Sequence, residues 1–405
     1  MKSDVIIIGG GQAGLMTAVT LRQKKFKGSL LLISSENYLP YQRPPLSKDF
    51  ISNNLKEEQL YFKREEYYKK NAIQILLNTS VIQINKKLKK ITLSDGQEYS
   101  YEKLVIATGS TLNELDLNCS KNNIHYLRSL DDSIEIKNTL ATQKKIVIIG
   151  AGYIGLEIAS AAIKNNLQVL VLEMDKTIMG RTISKEASDF LYDKHKKKGV
   201  EFSLNTKVKD INDHGEHKRV ACSNGIVIDA DAVIIGTGIK PNIDLANKSG
   251  LLCENGILVN EYCQTSDKDI FAAGDCTNHP NKVYNTRLRL ESVHNAVEQG
   301  KTAGAAIMGN SEPYNQVPWF WTNQYDIKLQ IAGIYERNND SIVRGDIELE
   351  SFSIFHMKNN KIIAVEAIND NKSFLLGKKL IQKKLEIPKK VIEDKNFDIK
   401  QYIRK

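Results

Sequence analysis

A lysine stands in an unusually stiff part of the chain. The stretch YLPYQRPPLSKDF (residues 38–50) holds three of the eight prolines and contains Lys48. Proline rings fix the backbone and lower the entropy lost when a segment becomes ordered. An ammonium group held in this way can stabilise negative charge that builds up during a reaction. Lys48 is therefore a candidate functional residue, although most lysines are simply solvated.

Two glycine-rich turns have a spacing that suits phosphate. GGGQAG (residues 9–14) and GAGYIG (residues 150–155) each follow an apolar, β-rich run and lead into a helical pattern. Glycines in this setting permit a tight turn and let a pyrophosphate approach the positive end of the helix dipole. One such match is a weak signal, but two in the right context predict two dinucleotide-binding sites.

An acidic residue follows the second strand in each copy. Glu36 ends LLLISSE and Glu173 ends VLVLE, where a carboxylate accepts hydrogen bonds from ribose hydroxyls. Glu173 would repel the 2′-phosphate of NADPH, so the second site is predicted to prefer NADH. Arg181, eight residues later, favours the opposite preference, because an arginine there can accommodate that phosphate.

The similarity between the two copies extends beyond the glycine turns. LSDGQEY (residues 93–99) is followed by the apolar strand KLVIATGS, and CSNGIVI (residues 222–228) is followed by AVIIGTGIKPN. Asp-Gly and Asn-Gly favour type I′ turns, in which both central residues need positive φ, so each copy predicts a hairpin. After Pro318 the pattern changes to antiparallel strands and a lysine-rich helical tail.

Two dinucleotide sites in one chain imply transfer between cofactors. FAD in the first site and NADH in the second give a pyridine-nucleotide flavoprotein. The motif IFAAGDC supports this pairing, because Asp275 follows a strand and a glycine and suits a bond to the flavin ribityl chain. The helical pattern from Leu290 to Met308 can direct its N-terminal dipole at the flavin.

Composition excludes several classes of protein. The 405 residues are 41% hydrophobic and 26% charged, and no apolar run reaches the ~18–20 residues of a membrane span. The apolar run in MKSDVIIIGGG is too short for a signal peptide, so we expect a cytoplasmic protein. The five cysteines have neither a CxxC motif nor metal-ligand spacing, which predicts reduced thiols and no metal site.

The net charge of +9 is concentrated near the C-terminus. Residues 371–405 contain eleven Lys/Arg and four Asp/Glu, and KHKKKG (residues 194–199) forms a second cluster. These lysines form either a solvated face or a surface for an acidic partner.

The chain resembles the NADH-dependent ferredoxin reductases of cytochrome P450 and aromatic-ring dioxygenase systems. The resemblance rests on an ordered set of motifs: RPPLSKDF, ATGS, GAGYIGLEIA, LEMDKTIMGRTIS, GTGIKPN, AAGDC and PWFWTNQYD. It implies FAD as the cofactor and NADH as the substrate. It also implies hydride transfer from NADH to N5 of FAD, followed by single-electron transfer to an acidic 2Fe-2S ferredoxin.

The same resemblance assigns roles to individual residues. It places Lys48 near the reactive N5 edge of the flavin and pairs it with Glu157 of GLEIA, and these two are the expected catalytic residues. Further expected contacts with FAD are Gly9, Gly11, Gln12, Ala13, Gly14, Glu36, Arg43, Pro44, Val81, Ala107, Thr108, Gly109, Arg128, Gly274, Asp275, Val293 and Trp319. Those with NADH are Gly150, Gly152, Tyr153, Ile154, Gly155, Glu173, Arg181, Gly238 and Ile239.

These observations predict an α/β fold with two Rossmann-like dinucleotide-binding domains, arranged as in glutathione reductase, and a C-terminal α+β domain. The expected domains are a discontinuous FAD-binding domain (1–110 and 243–317), an NADH-binding domain (111–242) and a C-terminal domain (318–405).

Other functions share this plan. A disulfide reductase needs a redox cysteine pair, and a single-cysteine NADH oxidase or peroxidase needs a thiol where this chain has Leu46-Ser47-Lys48. Rubredoxin reductase differs mainly in its partner and stays open. A regulatory flavoprotein resembling apoptosis-inducing factor would bind DNA through its basic surface. No basic patch interleaved with aromatic residues is evident, so neither nucleic acid nor membrane is the expected partner.

Overall fold

Two compact units divide the chain in the computed structural model, which describes residues 1–117, 119–309, 312–337 and 339–404. The first unit consists of Met1–Gln42, Glu58–Thr111 and Ile239–Pro318. The second consists of Arg43–Glu57, Leu112–Gly238 and Trp319–Lys405. The second glycine-rich turn, the C-terminal strands and residues 43–50, here called the proline-rich segment, thus fold together in one unit. The three-domain division stays a prediction.

The helices and strands of the described residues are numbered along the chain. The helices are α1 (Gln12–Gln23), α2 (Glu65–Lys70), α3 (Leu130–Thr142), α4 (Tyr153–Lys164), α5 (Lys185–Lys197), α6 (Asp244–Lys248), α7 (Val293–Ile307), α8 (Asn371–Lys383), α9 (Lys389–Glu393) and α10 (Gln401–Arg404). The strands are β1 (Lys2–Ile8), β2 (Leu30–Ile33), β3 (Ile73–Leu76), β4 (Val81–Asn85), β5 (Lys90–Leu93), β6 (Glu98–Ile106), β7 (Ser110–Leu112), β8 (Ile124–Tyr126), β9 (Lys145–Ile149), β10 (Gln168–Leu172), β11 (Glu201–Ser203), β12 (Val208–His214), β13 (His217–Cys222), β14 (Val227–Ala230), β15 (Ala232–Ile235), β16 (Ile239–Pro241), β17 (Cys253–Glu254), β18 (Gly256–Leu258), β19 (Ile270–Ala272), β20 (Thr277–Asn281), β21 (Thr286–Leu288), β22 (Trp319–Gln324), β23 (Ile327–Gly333), β24 (Asp340–Asp346), β25 (Ser351–Lys358) and β26 (Lys361–Ile368).

The first unit is built on a seven-stranded sheet in the order β3-β2-β1-β6-β5-β4, with β19 beside β6. The strands β3, β2, β1, β6 and β19 run parallel to their neighbours, and β4, β5 and β6 form an antiparallel meander. Alternate residues of β1 pack into two different apolar clusters, Val5 and Ile7 in one and Ile6 and Ile8 in the other. Both faces of this strand are therefore buried, which explains its continuous apolar sequence.

The second unit repeats this plan. Its parallel sheet has the order β11-β10-β9-β15-β8, and β12, β13 and β14 form an antiparallel meander. Alternate residues of β9 again enter separate clusters, since Ile146 and Ile148 pack in one and Val147 and Ile149 in another. The two Rossmann-like folds and both sequence-predicted hairpins, β5–β6 and β13–β14, are confirmed.

The C-terminal strands form an antiparallel sheet in the order β22-β23-β26-β25-β24, followed by α8. Ile327, Leu329 and Phe352 of this sheet belong to the same apolar cluster as Ile148 and Leu191. The C-terminal sheet and the second Rossmann-like fold therefore share a core. No helix among the described residues combines the length and the apolar character needed to cross a membrane.

Candidate active site

The two glycine turns have nearly identical geometry. A β-carbon at Gly14 would lie 2.0 Å from the carbonyl oxygen of Gly9, and one at Gly155 would lie 2.1 Å from that of Gly150. Both contacts are far inside van der Waals distance, so each turn closes only because the third glycine has no side chain. The backbone of Gly9 is also in the left-handed region, with φ +116°.

The helices after these turns begin without a side-chain cap. Ser129, Ser184, Ser292 and Asp370 accept hydrogen bonds at the N-termini of α3, α5, α7 and α8. The caps of α1 and α4 are glycines instead, and a β-carbon built on either would have no atom within 4 Å. Backbone N–H groups and open space are thus available at both helix ends, which fits a pyrophosphate. The residues present therefore fit FAD and NADH.

The carboxylate of Glu173 is fixed beside the second turn. Its Oε2 accepts a hydrogen bond from Ala151 N (2.7 Å), and its Oε1 accepts one from Asp175 N (2.9 Å). Two ionised oxygens offer about four acceptor positions, so ribose hydroxyls can still bind. In the first unit Glu36 lies just beyond β2 and accepts a hydrogen bond from the hydroxyl of Tyr41.

The structure places the other expected FAD contacts of the first unit as follows, several of them beside α1 or its glycine turn. The β-carbon of Ala13 lies 3.0 Å from the position that a side chain on Gly274 would take, and Asp275 accepts a hydrogen bond from Ser110 Oγ (3.1 Å). The carbonyl oxygen of Ala107 lies against Gly9. Val81 begins β4, Val293 begins α7, and Thr108 Oγ1 donates to Asn242 O. Gln12 is the first residue of α1, and Gly109 follows β6.

The proline-rich segment is ordered by contacts within the second unit. Pro44–Ser47 forms a short 3-10 helix, and Ser133 Oγ of α3 donates to Leu46 O (2.7 Å). Arg43 Nη1 donates to Arg128 O (2.5 Å), which brings together two residues expected to contact FAD. The backbone just before Lys48 is therefore held by these contacts.

Glu157 is the centre of a buried polar cluster. Its side chain is 2% exposed, and its Oε2 accepts hydrogen bonds from Lys48 Nζ (2.9 Å) and from Ser47 Oγ. Thr322 Oγ1 of β22 donates to Oε1 (2.6 Å). Lys48 itself is 12% exposed on its side chain and also donates to Pro44 O (3.3 Å). The buried carboxylate thus has three hydrogen-bond donors, which offset the cost of removing it from water.

Ser47 and Thr322 did not stand out in the sequence. Ser47 is adjacent to the lysine in RPPLSKDF, and Thr322 lies between aromatic residues in WFWTNQ. A signal for Thr322 exists, because Thr322 and Gln324 are polar residues at alternate positions of a strand and both are buried. Ser47 has no comparable pattern around it.

Some expected nucleotide contacts lie on the surface of the second unit. Ile154 is 40% exposed at the start of α4, and Arg181 is exposed beyond β10. Gly152 and Tyr153 are half-buried. Gly238 O accepts from Asn113 N (3.0 Å), whereas Ile239 is counted with the first unit.

Trp319 lies in an aromatic group of the second unit. Its ring centroid is 5.3 Å from that of Trp321 and 5.6 Å from that of Phe374. Lys378 Nζ lies 5.8 Å from the centroid of Trp319, within the range of a cation–π contact.

The cysteines lack the properties of redox-active thiols. All five are free, and burial raises the pKa of each, that of Cys276 to about 11. A thiolate is the reactive form, and a raised pKa removes it at neutral pH. Within the described ranges, no group of three or more His, Cys, Asp or Glu could hold a metal ion.

The fold, the two open glycine turns and the buried Lys48–Glu157 pair define a pyridine-nucleotide-dependent flavoprotein. The model of the pyridine nucleotide-disulphide oxidoreductase family matches residues 3–300, and that of the reductase C-terminal family matches residues 319–403. The chain belongs to the pyridine nucleotide-disulphide oxidoreductases. It is an FAD-dependent oxidoreductase that takes electrons from NADH.

Individual relatives match nearly the whole length of this chain. Rhodocoxin reductase of Rhodococcus erythropolis is 36% identical over 98% of this chain and 93% of its own. The covalent putidaredoxin reductase–putidaredoxin complex has a TM-score of 0.95 at 34% identity, over 99% of this chain and 98% of that chain. The ferredoxin reductase for the CYP199A2 system from Rhodopseudomonas palustris has a TM-score of 0.94 at 34% identity, over 98% and 99%.

Proposed function

We propose that this protein is an NADH:ferredoxin reductase whose electron acceptor is an acidic 2Fe-2S ferredoxin of a P450 or ring-hydroxylating oxygenase system. When bound, FAD accepts a hydride from NADH and releases its two electrons one at a time. The relatives that match over nearly the full chain, among them the ferredoxin reductase for the CYP199A2 system, support this function. The observation that carries it is the buried Lys48–Glu157 pair in a chain whose five thiols are all poorly ionised.

The two glycine turns are proposed to hold the cofactor and the substrate. The N–H groups at the start of α1 bind the pyrophosphate of FAD, and Glu36 accepts from its ribose. The N–H groups at the start of α4 bind NADH, with Glu173 on the adenosine ribose. The other residues expected from the sequence in these two sites remain part of this proposal.

Lys48 is proposed to stabilise the negative charge that reduction places on the flavin. Glu157 supplies the counter-charge that a buried ammonium needs. Ser47 and Thr322 in turn hold the carboxylate in one orientation through hydrogen bonds to its two oxygens. The ammonium is thus preorganised before any charge develops, which is the condition for electrostatic stabilisation of a reaction.

The basic C-terminal residues support an acidic partner. The net charge is +9, and many lysines of the last 35 residues are exposed, among them Lys372, Lys379 and Lys383 of α8. Such a surface raises the association rate of an acidic protein in a salt-dependent manner. We also propose a cytoplasmic location, which five free cysteines support.

Reduction followed by assay with different acceptors tests the function. NADH should bleach the flavin of the purified protein without oxygen, and cytochrome c should then be reduced rapidly only when a 2Fe-2S ferredoxin is added. Rapid turnover with rubredoxin and none with ferredoxin would favour the rubredoxin reductase alternative, which the comparisons support less. Slow turnover with salt-sensitive DNA retention would favour a regulatory flavoprotein.

A further inference from the structure

A line of hydrogen bonds continues from Glu157 into the second unit. Thr322 Oγ1 lies 3.2 Å from Gln324 Nε2, and Gln324 Oε1 lies 2.8 Å from His195 Nε2. His195 Nδ1 lies 3.1 Å from the hydroxyl of Tyr325. The line therefore connects the carboxylate of α4 to the imidazole of α5 through two residues of β22.

The charge of Glu157 determines the direction of every bond in this line. An ionised carboxylate only accepts, so the hydroxyl of Thr322 must donate to it. Thr322 Oγ1 then accepts from the amide nitrogen of Gln324, which leaves Gln324 Oε1 as an acceptor. His195 must therefore carry its proton on Nε2, and its Nδ1 accepts from Tyr325.

Burial makes it costly to reverse the donor and acceptor in any of these hydrogen bonds. Thr322 and Gln324 are 1% exposed and His195 is 0% exposed. Burial lowers the pKa of His195 to about 4, so the ring is neutral near pH 7 and has one N–H to place. An unsatisfied buried polar group costs about 1–3 kcal/mol, so a reversed bond anywhere in the line is disfavoured.

We propose that Gln324 and His195 are positioning residues that fix the hydroxyl of Thr322 as a donor to Glu157. This proposal rests on the role proposed above for the Lys48–Glu157 pair. Without the line, the hydroxyl of Thr322 could rotate away, and the carboxylate would lose one of its three donors.

The surroundings of both titratable groups are defined. Glu157 faces Lys48 and Ser47 of the proline-rich segment, Thr322 of β22, and Tyr153 on its own helix. His195 faces Gln324 and Tyr325, and the ring of Phe202 packs on it at 6.1 Å. The neighbouring Lys194 forms ion pairs with Asp326 (3.0 Å) and Glu350 (2.7 Å). Gln324 Nε2 also lies 3.8 Å from Met179 Sδ.

A pH profile of flavin reduction in the FAD-bound protein tests the proposal. In Thr322→Val and Gln324→Leu we expect the acidic limb of the NADH-dependent rate to move up by about one pH unit. His195→Phe should move it in the same direction by less. Thr322→Ser, which retains the hydroxyl, should restore the original profile. His356→Gln is the matched control, because His356 is also 0% exposed in the same unit but contacts Ser341 and Glu366 and none of Thr322, Gln324 or His195.

A merely structural role would give a different result. It would lower the melting temperature of the variants and leave the midpoint of the acidic limb where it is in the unmodified protein. That outcome would overturn the proposal.

The imidazole nitrogens give an independent readout. In FAD-bound protein labelled with ¹⁵N-histidine, the signal lost in His195→Phe should have the pattern of an Nε2–H tautomer. In Glu157→Gln both tautomers should appear, because an amide can donate to Thr322 and no longer sets the direction. An Nδ1–H tautomer in the unmodified protein would contradict the line of donors. Failure of NADH to reduce the unmodified flavin would instead overturn the proposed function, and it would leave the tautomer result intact.

Discussion

Lys48 Nζ lies 2.9 Å from Glu157 Oε2, although 109 residues separate the two in the chain. The pair joins the proline-rich segment to the helix of the second glycine turn. A buried charge pair of this kind is stable only while both partners are present.

Removal of one partner of the pair should lower the free energy of unfolding more than removal of both. Glu157→Ala should lower the free energy of unfolding by about 3–5 kcal/mol, because it leaves a buried ammonium without a counter-charge. Adding Lys48→Met should recover much of this loss but not the rate of flavin reduction, which we expect to fall about 10²-fold in both variants. Denaturant unfolding and stopped-flow reduction measure the two effects.

The exposed pair Lys185–Asp189 provides the control, since its side chains are 76% and 52% exposed. Lys185→Ala should change the free energy of unfolding by less than about 1 kcal/mol. If Glu157→Ala and Lys185→Ala lowered the free energy of unfolding equally, burial of the Lys48–Glu157 pair would not be the cause of the loss.

Alanine substitutions at different glycines of each turn should distinguish effects on nucleotide binding from effects on folding. Gly14→Ala and Gly155→Ala should impair folding, because the new methyl group would meet a carbonyl oxygen at 2.0 or 2.1 Å. Gly11→Ala and Gly152→Ala meet no protein atom within 4 Å, so the fold should be retained. The first of these should weaken FAD binding and the second NADH binding, each by about tenfold or more. Flavin content and NADH titration would show whether each loss is confined to its own turn.

The carboxylate of Glu173 should set the preference for NADH. Glu173→Ala should reduce the ratio of kcat/KM for NADH over NADPH by roughly tenfold or more, since a hydrogen bond to a charged acceptor contributes about 1.5–3 kcal/mol. Arg181→Ala should mainly reduce the use of NADPH. Steady-state kinetics with both nucleotides tests this, and an unchanged ratio in Glu173→Ala would refute the assignment.

Two buried histidines should make the protein less stable in weak acid. Burial lowers the pKa of His195 and of His279 to about 4 in the folded state, below the ordinary value of 6.5. The unfolded chain therefore binds protons that the folded chain does not, and this stability is complete above pH 6.5 and lost as the pH falls towards 4. At pH 4 each of these two histidines should lower the free energy of unfolding by about 3 kcal/mol relative to its value near pH 7.

Unfolding by denaturant between pH 7 and pH 4.5 measures this effect. His195→Gln should reduce the slope of stability against pH in this range. A slope of the same size in His195→Gln and in the unmodified protein would exclude His195 as a source.

Thiol modification should leave electron transfer unaffected. Cys263 and Cys276 are 1% and 0% exposed, and burial raises the pKa of both thiols. Treatment of the native protein with iodoacetamide at pH 7 should not change the NADH-dependent reduction of the acceptor. Loss of activity that follows labelling of either cysteine would instead indicate thiol-based chemistry.

Local patterns predicted the parts of the fold that local physics decides. The apolar strand before each glycine turn, the Asp95-Gly96 and Asn224-Gly225 hairpins and the change to antiparallel strands after Pro318 all depend on neighbouring residues. The sequence resemblance implied the Lys48–Glu157 contact, and the contact is present.

Long-range contacts were beyond the reach of sequence patterns. Ser47 and Thr322 meet at Glu157 from positions 110 and 165 residues away, and no local signal joins them. The KHKKKG cluster was open to a solvated interpretation, yet His195 is fully buried and the side chain of Lys194 is 11% exposed. The spacing of Ala187, Leu191 and His195 on one face of α5 was the signal available in the sequence.

The side chains of β22 alternate between two different environments along the strand. Trp319 and Trp321 occupy one side of the pleat, and Thr322 and Gln324 belong to the other. Inserting or deleting a single residue here would exchange the two sides, so that the indoles would take the places of the hydroxyl and the amide beside Glu157 and His195. Evolution can thus vary the aromatic residues by substitution, but it cannot shift the frame of this strand without dismantling the support of the carboxylate.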